Sequence, residues 1–149
     1  MSTDQTARGR ADYYVLSEAD QDARERFLCR LCEKILTLGL KIHIHTPSPS
    51  DAERLDARLW SFRPEAFIPH GLLGSTPPAP VEIGHSDQQA SHREVFINLT
   101  LELPEEALGF QRIVEIVSQA PAVVAATRSN YRRCRERGLE LFTHKVQSS

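Results

Sequence analysis

The sequence predicts an α/β protein, a three-layer α/β/α sandwich on a mainly parallel sheet. Two observations predict it. Short β-branched or alternating runs recur along the chain, and between them lie segments whose apolar residues return every three or four positions. The first strand, helix and strand are joined by short links, the pattern of a βαβ unit, which favours parallel pairing. At 149 residues the chain is about one domain long and can bury a single core without staples.

Residues 1–10 are polar with almost no apolar anchor, so they read as a disordered leader before one domain spanning 11–147. The aromatic and β-branched run from Asp12 to Leu16 is a short buried strand. Acidic and capping residues from Ser17 to Asp20 open a helix with apolar Phe27, Leu28, Leu31, Ile35 and Leu38, and Gly39 ends it. Alternation from Lys41 to His45 gives a second strand. Ser50 or Asp51 is expected to cap a second helix through Leu55, Leu59 and Trp60. The proline- and glycine-bearing stretch 64–74 reads as a structured loop, followed by a proline-rich connector at 75–80 and a strand from Val81 to His85. The polar stretch 86–92, which reads as a mobile loop, precedes the strand Arg93 to Leu99, and Pro104 opens a short helical turn. β-Branched content makes Arg112 to Val117 a strand. A last long helix runs from Ala122 to Arg137 and stops at Gly138, and Leu139 to Lys145 is the terminal strand.

Composition excludes several function classes. A formal net charge of −2 and a pI near 6.3 give no reason to expect general adhesion to DNA. No apolar run reaches the length of a membrane span or a secretory core, and the odd count of three cysteines suits a reducing compartment, so a cytoplasmic protein with free thiols is expected. The first strand-to-helix link, Leu16 to Gln21, holds no glycine and carries Glu18 and Asp20, which would repel a phosphate at that helix N-terminus. The fold is thus Rossmann-like without a nucleotide-binding loop, and a small nucleotide-dependent α/β enzyme stands only as the alternative.

Few side chains carry a chemical signature. Cys29 and Cys32 form a CxxC in mid-helix with no second ligand pair, which reads as ordinary packed cysteines. His43 and His45 share a strand face but lack a third ligand, so no metal and no cofactor are expected. No catalytic nucleophile, base or carboxylate pair stands out. The sharpest feature lies between Thr127 and Gly138, where five arginines and one glutamate give a local charge of +4 in an acidic chain. Helical spacing puts Arg128, Arg132 and Arg135 on one face with Tyr131 beside them. Such a face suits either a solvated basic surface near a helix C-terminus or a receptor whose guanidinium forks bind carboxylates. A second group, Trp60 followed by Phe67, Ile68 and Pro69, suits either core or a partner-binding surface.

In order, the run from Asp12 to Leu16, the block Arg54 to Leu72, Pro80 to Gly84, the strand Arg93 to Leu99 and the segment Asn130 to Leu141 resemble the chi subunit family of bacterial DNA polymerase III. The most specific pieces are Asp56 with Leu59 and Trp60 followed by Phe67 to His70, and the helix end formed by Tyr131, Arg132, Arg135 and Gly138. The resemblance spans Asp12 to Lys145. It implies a non-catalytic clamp-loader accessory protein that bridges the psi subunit and the acidic C-terminal tail of single-stranded DNA-binding protein, without direct DNA or membrane binding. It further implies that Arg128, Tyr131, Arg132 and Arg135 hold that tail. Trp60, Phe67, Ile68 and Pro69 would face psi, on a surface that a repair helicase also uses. Arg132 stands where a lysine is common in the family, and the two differ in hydrogen-bond geometry.

Overall fold

Near-continuous apolar runs such as that in Arg112 to Val117 suit strands covered on both faces, and the protein uses them in that way. The computed structural model describes residues 9–62 and 68–146. Among these residues seven strands form one sheet: β1 (Arg10–Val15), β2 (Ile42–Thr46), β3 (His70–Leu72), β4 (Val81–His85), β5 (Val95–Asn98), β6 (Arg112–Val117) and β7 (Glu140–Lys145). Their order across the sheet is β3-β4-β2-β5-β6-β1-β7. Every neighbouring pair is parallel, so the sheet is wholly rather than mainly parallel.

Helices α1 (Gln21–Thr37) and α2 (Pro49–Trp60) pack on one face of the sheet. Helix α3 (Pro121–Glu136) and a 3-10 turn (Glu105–Gly109) cover the other, which completes the three layers. Side chains of α1 at Leu28, Cys29, Leu31, Cys32 and Ile35 are buried, as their spacing requires. Asp20 caps α1 by accepting from the Ala23 amide at 3.2 Å, and Gly39 leaves the helix at a φ of 78°, where a Cβ would be strained.

Four expectations need correcting. The cap of α2 is Ser48, whose hydroxyl accepts from the Asp51 amide at 3.2 Å, because Pro49 takes the first helical position where its missing N–H costs nothing. The stretch after α2 is not all loop, since His70–Leu72 pairs with Val81–Ile83 as β3. Order begins at least one residue earlier than expected: Arg10 belongs to β1 and its guanidinium grips the Asp12 carboxylate at 2.6 Å. The polar loop at 86–92 is tied down, with the Ser91 amide donating to Glu82 and the Ala90 amide to Glu106.

The two-residue alternation of β1 sorts its side chains between the layers. Ala11 and Tyr13 join the core beneath α3, while Tyr14 packs against the core beneath α1. β7 hydrogen-bonds to β1 on one side only and forms one edge of the sheet. Register places Tyr13 beside Thr143 and Tyr14 beside His144, so the edge strand repeats the same sorting.

Candidate functional site

α3 places its arginines by sequence spacing, and its neighbours decide which of them remain available. Thr127, Asn130 and Cys134 turn inward. Arg133 and Arg137 share Glu105 at 3.3 Å and 2.7 Å, and Arg133 also donates to the Leu103 carbonyl at 2.6 Å. Arg128, Arg132 and Arg135 have no carboxylate partner among the described residues. These three line one open cavity of about 530 Å³ together with Tyr131. The four residues expected to act together are therefore brought together.

The floor of the cavity is apolar, formed by Val15, Val117 and Val124, with Tyr13, Thr127, Gln119 and Thr143 at its sides. Among the described residues no acidic side chain lines it. Tyr131 is fixed by an edge-on contact with the Tyr13 ring, centroids 5.2 Å apart. The Tyr13 hydroxyl lies 3.7 Å from the Cys134 sulfur, which ties β1 to α3. Three unneutralised guanidiniums above an apolar floor can bind carboxylates through paired N–H donors while burying a hydrophobic side chain. The strand residues of the floor escaped sequence reading because they are distant in the chain and unremarkable in type.

A buried polar network holds α3 from behind. The Glu115 carboxylate is fully buried and receives the Asn98 and Asn130 side-chain amides at 3.3 Å and 2.9 Å. Burial pushes its carboxyl up to about 8, against the opposing pull of those amides. Asn130 also donates to the Leu101 carbonyl at 2.9 Å and accepts from the Leu103 amide at 3.2 Å.

The second expected group is only partly brought to the surface. Trp60 is 63% exposed at the end of α2, edge-on to His70 with ring centroids 4.9 Å apart. Pro69 is half-buried beside β3. Ile68 is 3% exposed and packs into the core under α1 and α2, so it supports that surface from within and does not present a contact. Phe67 lies outside the described residues.

Other constellations show structural roles. Cys29 and Cys32 are buried free thiols, and burial pushes the Cys29 thiol up to about 11 and the Cys32 thiol further, the reverse of an activated thiolate. His43 gives its Nδ1 to Glu82 at 2.7 Å. No group of three metal-ligating side chains is assembled among the described residues. No helix is long and apolar enough to cross a membrane among them.

Residues 9–142 match the family model described as DNA polymerase III chi subunit, HolC. The DNA polymerase III subunit chi of Pseudomonas aeruginosa is 42% identical over 137 residues, covering 92% of this chain and 96% of that protein. The subunit of the same name from Haemophilus influenzae is 32% identical over 139 residues, covering 91% and 96%, and that from Escherichia coli is 30% identical over 124 residues, covering 81% and 84%.

Proposed function

Because the chain belongs to the DNA polymerase III chi subunit family, we propose that it serves DNA replication as a non-catalytic adaptor in the clamp-loader assembly. In this reading it bridges the psi subunit and the acidic C-terminal tail of single-stranded DNA-binding protein, needs no cofactor, and works in the cytoplasm. One observation supports the tail site above others: Arg128, Arg132 and Arg135, all without carboxylate partners among the described residues, line one acid-free cavity with Tyr131. Aspartates and a terminal carboxylate of the tail would pair with the arginines. Its terminal Phe would lie on the apolar floor between Tyr131 and Val117. The psi subunit, or a repair helicase in its place, would take the surface formed by exposed Trp60 and half-buried Pro69, and the family resemblance adds Phe67 to the same contact.

Titration calorimetry with a Phe-terminated acidic tail peptide tests the tail site. Tyr131→Ala or Arg128→Ala should each weaken binding by about tenfold, about 1.4 kcal/mol, and rising salt should weaken the wild-type complex. Unchanged affinity in both variants would remove the assignment. A small nucleotide-dependent enzyme, the alternative, finds no support in the glycine-free link before α1, where Asp20 already occupies the helix N-terminus as its cap.

A further inference from the structure

A second groove lies on the other face of the same sheet edge, between α1 and β7. Its volume is about 580 Å³. Apolar Phe27, Leu31, Leu38 and Val146 line it, with Lys34 and Lys145 among its cations and no acidic residue among the described ones. Leu38 is 62% exposed. Lys34 and Lys145 are exposed and have no carboxylate partner among the described residues. Behind the lining residues Arg112 and His144, the buried Asp12 carboxylate receives both of them, at 3.0 Å and 2.8 Å, together with Arg10 at 2.6 Å, so Arg112 is held by an internal partner and Lys34 and Lys145 are the groove's outward-facing cations.

The two acid-free cavities are continuous in the chain. Thr143 lines the first and His144 and Lys145 the second, just as Tyr13 and Tyr14 divide between them on β1. Among the described residues the edge strand β7 is what stands between them, and its outer backbone is unpaired within the sheet. An extended peptide covers about 3.3 Å per residue, so a few residues suffice to pass over one strand edge.

We propose that the groove formed by Lys34, Leu38, Lys145 and Val146 is a second subsite for the same acidic tail, taking the acidic residues that precede its terminus after the chain crosses the β7 edge. The inference rests on the tail reading given above. Charge complementarity selects an acidic occupant, and the aliphatic lining suits a leucine-like side chain. A nucleic acid is disfavoured because the Tyr14 ring, the groove's most suitable platform for a base, is already engaged, stacked on His144 at 4.5 Å and tilted against Phe27 at 5.2 Å.

The test compares, on the full chain, a peptide of the partner tail's last few residues with one of about ten residues, long enough when extended to round the strand edge. Lengthening should raise wild-type affinity by about tenfold, as expected when a second contact becomes intramolecular. Lys34→Glu with Lys145→Glu should abolish that gain while leaving short-peptide affinity within about twofold, and Leu38→Ser, which changes no charge, should reduce it. A gain that survives the charge reversal, or no gain on lengthening, would overturn the second subsite. Displacement of only the lengthening gain by an oligothymidine would assign the groove to nucleic acid and overturn it as well. If the short peptide itself fails to bind, the tail reading falls and the second subsite falls with it; a short peptide that binds without a groove-dependent gain defeats the second subsite alone.

Discussion

Burial alone would raise the Glu82 carboxyl, yet hydrogen bonds from His43 and from the Ser91 hydroxyl and amide hold it down to about 2. A depressed carboxyl stabilises the fold above its unfolded value near 4.5, and that contribution fades as pH falls toward 2. Glu82→Gln should therefore flatten acid unfolding across that window. At neutral pH it should cost about 1–3 kcal/mol by chemical denaturation, because His43 and Ser91 lose a charged acceptor. His43 has little room to adjust: a Cβ built on Gly84 would sit 2.8 Å from its ring. The sequence could show that His43 and His45 share a face but not that Glu82 answers His43. That pairing depends on the β2 to β4 register, which brings residues from different segments side by side. For the same reason the floor residues Val15 and Val117 were invisible, while Arg128, Tyr131, Arg132 and Arg135 could be grouped from one helical repeat.

At the level of elements, the candidate cavity depends on how α3 is seated. Asn130 joins Glu115 of β6 to the backbone at Leu101 and Leu103, so it clamps the helix, a strand and the segment before the 3-10 turn. Asn130→Ala should lower stability by about 2–3 kcal/mol through unsatisfied buried partners. It should also speed amide exchange at Leu103 more than in β2, which lies away from the clamp; equal protection in both would argue against a local seat for the helix. Most elements were readable because their period and punctuation agreed, as in α1 with Leu28, Leu31 and Ile35 before Gly39. β3 was not, since His70, Gly71 and Leu72 have neither β-branching nor alternation and become a strand only through pairing with β4. The division of the arginines of α3 was half readable. Spacing grouped Arg128, Arg132 and Arg135, but only the fold reveals that Glu105 occupies Arg133 and Arg137.

For the whole molecule, Glu115 sets a pH dependence opposite to that of Glu82. Its carboxyl is raised to about 8 in the fold, so between about pH 4.5 and 8 the unfolded chain gives up a proton that the folded chain retains. That group's contribution is complete below 4.5 and is lost as pH rises through 8. Glu115→Gln should make the thermal midpoint less dependent on pH across this window, and an unaltered slope would show that another group governs it. The wholly parallel sheet was legible in outline from the βαβ start, but the order of its strands was not, because hydrophobic runs do not encode their neighbours. That order has a consequence for how the protein is made. β1 lies between β6 and β7, with Arg10 aligned to Arg112 on one side and to Glu140 on the other. During synthesis β1 therefore emerges ahead of both strands that will hydrogen-bond to it. The nascent chain can gather β2, β3 and β4 around α2 first, while β1 waits unpaired until β6 emerges, and it gains its second neighbour only once translation has passed through α3 and delivered the edge strand.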